Sequence, residues 1–106
     1  MSGDTLRVLR HIAADHPAFA GHFPGQPVLP GALLLAEVLE AIRAVPALAA
    51  ALGAAPTLTA AKFLSPVAPG SDLLIELRLQ TRALHFEVLC QGVPVAKGQF
   101  AVSDAA

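Results

Sequence analysis

The sequence predicts an α+β domain with one early helix and a late series of antiparallel strands, and three observations carry that reading. Residues 32–43 are strong helix formers, with Pro30 just before them and Pro46 soon after. Leu73, Ile75, Leu77 and Leu79 alternate with Glu76, Arg78 and Gln80, and Leu84, Phe86, Val88 and Cys90 alternate with His85, Glu87 and Gln91, the period of strands with one buried face. Gln91-Gly92 then offers a tight turn into residues 93–102, so the last strands read as an antiparallel meander.

The elements follow in order. Partial alternation over Leu6–Ile12 predicts an opening strand. A loop dense in proline and glycine runs from Asp15 to Pro30, long enough that a functional role is the natural expectation. In the helix that follows, Glu37, Glu40 and Arg43 recur every third position on a segment otherwise apolar nearly all round, the pattern of a helix enclosed by a sheet. Residues 47–55 read as a loop with a short helical turn ending at Gly53. Thr57–Leu64 reads as a strand, stopped by the prolines and glycine of residues 65–70. With 106 residues, the expectation is one domain spanning 1–106.

Composition excludes several classes. The chain is 55% hydrophobic and 14% charged, more apolar than a domain of this size usually conceals, so part of that surface is expected to meet another subunit. Pro30, Glu37, Glu40, Arg43 and Pro46 interrupt the richest apolar region, which argues against a membrane span. The net charge of −1 and the absence of Trp and Tyr leave neither a phosphate-binding stripe nor stacking platforms for bases, which argues against nucleic acid. Cys90 is the lone cysteine and is expected as a small buried hydrophobe. His11, His16 and His85 have no spacing with acidic residues that makes a metal cage, so neither metal nor cofactor is expected. The first residues lack the basic start and apolar core of an export signal, giving a cytoplasmic expectation.

Residues 21–31 read Gly-His-Phe-Pro-Gly-Gln-Pro-Val-Leu-Pro-Gly, bringing a histidine and a glycine-opened helix to one place. Imidazole titrates near neutral pH and can take and return a proton. The first N–H groups of a helix are unpaired and sit at the positive end of its dipole. This stretch, with the apolar run after it, resembles the signature of the 3-hydroxyacyl-acyl-carrier-protein dehydratases. Residues 62–72, Lys-Phe-Leu-Ser-Pro-Val-Ala-Pro-Gly-Ser-Asp, resemble a second stretch of the same enzymes. The resemblance implies a hot-dog fold, an antiparallel sheet wrapped around one long central helix. It also implies reversible loss of water from a 3-hydroxyacyl thioester, carried by acyl carrier protein or coenzyme A, to give a trans-2-enoyl thioester.

On that resemblance His22 is the base that removes the C2 proton and Gly31 the backbone donor to the thioester oxygen, while Phe23, Pro30, Leu33 and Phe63 contact the acyl group. The family places its acid fourteen positions after the histidine, on the helix, where it serves the other subunit of a homodimer. Here that position is Ala36, and a methyl group cannot protonate a leaving hydroxyl. Glu40 lies one turn further along the same face and is the preferred replacement, whereas Glu37 lies about 100° round the helix. The alternative is that Glu37, Glu40 and Arg43 form only a polar stripe, with Glu40 and Arg43 paired. In that case the protein is an acyl-thioester binding module, or one half of a mixed dimer whose other subunit supplies the acid.

Overall fold

The computed structural model describes residues 5–15, 29 and 31–103. Their order is β1 (Thr5–His11), α1 (Gly31–Arg43), α2 (Pro46–Leu52), β2 (Leu58–Phe63), β3 (Asp72–Leu79), β4 (Ala83–Cys90) and β5 (Val93–Ala101). The five strands form one antiparallel sheet in the order β1-β3-β4-β5-β2. This is the α+β arrangement expected from the sequence, a hot-dog sheet with its helix on one face.

Alternation sets which face is which. Leu73, Ile75 and Leu77 on β3 and Leu84, Phe86 and Val88 on β4 are all buried, and they meet across the register Leu73↔Cys90, Ile75↔Val88, Leu77↔Phe86 and Leu79↔Leu84. Leu34, Val38, Ala41 and Ile42 of α1 join them in one core, with Leu48 and Leu52 of α2. Each such side chain contributes on the order of 1.5–3 kcal/mol through removal from water. The other face is polar. Arg7 donates to Glu76 at 2.9 Å and His11 Nδ1 lies 2.6 Å from Asp72, exposed cross-strand pairs whose worth is small in water.

The turn between β4 and β5 has Gln91 at φ 53° and Gly92 at φ 78°, the left-handed pair that a two-residue hairpin with correctly twisted strands requires. Residues 47–55 differ from expectation: α2 is a regular helix of seven residues that starts at Pro46. The same proline that ends α1 opens α2, because a missing N–H costs nothing in a first helical turn. Cys90 is half-buried rather than buried, since it closes β4 next to the exposed turn at Gln91 and Gly92.

Two contacts position the start of α1. Leu29, 5% exposed, donates its N–H to the carbonyl of Val67 at 2.9 Å, and Val67 is itself buried. Gly70 donates to Ile12 and Ile12 to Ser71, so the loop before β3 ties the end of β1 and the approach to α1 together.

Candidate functional site

The helix α1 is not enclosed on all sides. Its buried residues, Leu34, Val38, Ala41 and Ile42, make one face, while Leu33, Glu40 and Arg43 are exposed and Ala36 and Glu37 half-buried. Leu33, Ala36, Glu40 and Arg43 follow the three- and four-residue spacing of a single helix face. One open strip therefore runs from the first turn, past Ala36, to Glu40. The enclosure expected from composition is incomplete because the sheet covers only one side of the helix.

Four of the predicted residues fall among those described: Gly31, Leu33, Glu40 and Phe63. Gly31 is the first residue of α1 and is half-buried. Leu33 is 38% exposed at the beginning of the open strip. Glu40 is exposed on the same strip, and no ion pair joins it to Arg43 among the described residues. His22, Phe23 and Pro30 lie outside the described residues.

Phe63 comes from the far side of the sheet. It ends the edge strand β2 opposite Ala96, which is buried, so its ring projects from the same face that carries α1. A Cβ built on Gly31 would lie 2.9 Å from Phe63 Cζ and 3.1 and 3.2 Å from its two Cε atoms. The ring tip thus rests on the side of Gly31 that the absent side chain leaves open. This gives the glycine a packing reason. The sequence carries no signal for that contact, since a strand aromatic and a helix-start glycine 32 positions apart are joined only by the fold.

The first turn of α1 contains no acidic residue, so no carboxylate of that turn neutralises the positive end of the helix dipole. A carbonyl oxygen that gains negative charge is the kind of group such a helix start stabilises. The outer face of the sheet also holds a concavity of about 370 Å³, lined in part by Lys62, Arg78, His85, Lys97 and Gln99. It lies across the sheet from α1 and shares none of the catalytic candidates, so geometry and chemistry favour the helix start.

Over residues 1–99 the chain matches the ApeI-like family, described as ApeI dehydratase. Among curated relatives, the 3-hydroxyacyl-[acyl-carrier-protein] dehydratase FabZ of Pelotomaculum thermopropionicum is 36% identical over 76 residues, covering 68% of this chain and 54% of the relative. FabZ of Gluconacetobacter diazotrophicus is 33% identical over 109 aligned positions, covering 92% of this chain and 68% of the relative. The chain thus spans about half to two thirds of the length of these relatives. Two solved structures share the fold. The dehydratase heterocomplex ApeI:P from Xenorhabdus doucetiae has a TM-score of 0.74 at 21% identity, covering 92% of this chain and 86% of that one. The R-hydratase PhaJ1 from Pseudomonas aeruginosa has a TM-score of 0.69 at 20% identity, covering 96% and 80%.

Proposed function

Because the chain belongs to the ApeI-like dehydratase family, we propose that it carries out the reversible dehydration of 3-hydroxyacyl thioesters held by acyl carrier protein or coenzyme A, within fatty-acid or polyketide-type synthesis. The observation that carries the reading is the start of α1, where Gly31 opens a helix with no acid in its first turn, nine residues after His22 in the sequence. In this reading His22 takes the proton from C2 while the N–H of Gly31 holds the charge that develops on the thioester oxygen. The C3–O bond then breaks, the C2=C3 bond forms, and the hydroxyl leaves as water once it gains a proton. Glu40, on the open strip beyond Ala36, is the proposed proton donor. Phe23, Pro30, Leu33 and Phe63 are the proposed apolar contacts of the acyl chain.

The reading includes a homodimer and a cytoplasmic setting. A homodimer lays the open strip of α1 against the His22 loop of a second copy, which would complete a site that one chain leaves exposed. The test is formation of enoyl thioester from a 3-hydroxyacyl-pantetheine thioester, compared across wild type, His22→Ala and Glu40→Gln. His22→Ala is expected to abolish turnover with the melting temperature unchanged. Glu40→Gln keeps size and hydrogen bonding but not acidity, and is expected to lower kcat by about 10²-fold. Full turnover in folded His22→Ala would refute the assignment.

A second reading rests on Ala36 itself. With methyl where the family carries an acid, the chain serves as a binding module or as half of a mixed dimer, and the similar ApeI:P structure is a heterocomplex. Wild type silent alone but active when mixed with a related subunit bearing the acid would select this reading.

A further inference from the structure

We infer that the outer face of the sheet binds a sugar phosphate, in the concavity where the two lysines of the chain face each other. Lys62 and Lys97 are the only lysines in the sequence, and the fold makes them direct cross-strand partners between β2 and β5. Like charges placed opposite one another destabilise an antiparallel pair, so this pairing costs stability until an anion lies between the two ammonium groups. Arg78 faces His85 across β3 and β4, and His85 faces Gln99 of β5. All five side chains line the same concavity of about 370 Å³.

The nearby carboxylates leave these cations free. Glu76 and Glu87 also line the concavity. Glu76 is engaged by Arg7 at 2.9 Å, and Glu87, although opposite Lys97 in register, forms no ion pair with it among the described residues. Lys62 and Arg78 have no acidic partner among those residues either. With Glu76 neutralised by Arg7, three cations share the hollow with one carboxylate, on a chain whose net charge is −1. The site also stays open in a dimer. Side chains alternate along β2, so Lys62 lies on the outer face and Phe63 on the helix face. A second copy pairing along the β2 edge would extend the sheet in its own plane and leave the concavity uncovered.

Charge, size and lining set the ligand. Two opposed ammonium groups with Arg78 one row away suit a dianion, and a phosphate monoester carries about −1.5 to −2 near pH 7. The volume lies near the lower end of the ~300–1,000 Å³ of small-molecule sites, so the phosphate carries a small organic group. Thr5, His85 and Gln99 offer that group hydrogen bonds, while the one aromatic in the lining, Phe86, is 3% exposed and gives a base no face to stack on. A sugar meets these terms better than a nucleoside.

The test uses the two lysines as reporters. Lysine labelled with ¹³C at Cε gives one signal from each, assigned through Lys62→Gln and Lys97→Gln. Titration with ribose 5-phosphate is expected to shift both signals saturably, ribose is expected to leave them unmoved, and inorganic phosphate is expected to bind more weakly. Each substitution removes a repulsion, so both variants should remain folded. Each should raise the calorimetric Kd for ribose 5-phosphate by about 10-fold, the loss of one charged hydrogen bond. No saturable shift with ribose 5-phosphate overturns the site, as does an unchanged Kd in the folded double variant Lys62→Gln/Lys97→Gln. Equal affinity for inorganic phosphate and ribose 5-phosphate overturns the sugar. None of these outcomes bears on the reaction proposed for the helix face.

Discussion

Ala36 is half-buried on the open strip of α1, between the first turn and Glu40, which is where an acid would face the acyl group in the proposed site. A positioned general acid contributes about 10²–10⁴ in rate, and the oxyanion donors contribute comparably by themselves. In the proposed reaction, an alanine there is expected to slow turnover while leaving the oxyanion contribution in place. Ala36→Glu is therefore expected to raise enoyl formation by about 10-fold or more, short of the full value of a fully oriented acid. Glutamate is a good helix former and the position is only half-buried, so the fold should tolerate it. Background rates in folded Ala36→Glu and Ala36→Asp, assayed beside wild type, would favour the binding-module reading.

Among the elements, β5 shows most clearly how backbone and side chain constrain one another. Gly98 pairs with Phe86 on one side and with Ala61 on the other. A Cβ there would lie 2.2 Å from the carbonyl oxygen of Ala60 and 2.7 Å from Phe86 Cζ. The first of these atoms is backbone and cannot swing aside, in contrast to the Phe63 ring at Gly31. The missing side chain lets the buried Phe86 ring settle over the strand, 5.6 Å from the ring of Phe100 and tilted by 40°, within the favoured range for aromatic pairs. Gly98→Ala is expected to destabilise the fold by about 2–3 kcal/mol, the upper part of the usual cost of overpacking. Urea denaturation reads this directly, and a loss below ~0.5 kcal/mol would mean that β2 moves away from β5 at little cost.

At the scale of the whole molecule, exposed apolar residues mark both edges of the sheet, Leu6 and Leu9 on β1 and a group of three at β2. Leu58 and Phe63 lie on β2 and Leu64 follows it, with exposures of 40%, 51% and 48%. Among the described residues β2 has no neighbour on its outer side. The radius of gyration of 14.2 Å also exceeds the ~13 Å expected of a compact domain of this length. A long bare edge with apolar side chains is a template for pairing with another chain. The chain is expected to sediment at micromolar concentration with twice its 10.9 kDa mass. Leu58→Lys combined with Leu64→Lys puts two charges on the edge and should return it to a monomer. A wild-type monomer at that concentration would remove the shared-site part of the proposed function.

The sequence alone determined the helix, all five strand positions to within a residue, the β4–β5 turn and the family. These are local or nearly local properties: alternation over Leu73–Leu79, the proline bracket of α1, the left-handed pair Gln91-Gly92, and two contiguous motifs. It read residues 47–55 as a loop with a short turn, where α2 is a regular helix from Pro46 to Leu52, and it took Cys90 as buried, which depends on where β4 ends. Only the tertiary structure decided that β2 crosses to the far edge beside β5, that one strip of α1 stays open, and that Phe63 rests on Gly31. Each of those depends on contacts between residues distant along the chain, and hydrophobic periodicity says which face of an element is buried without saying which element buries it.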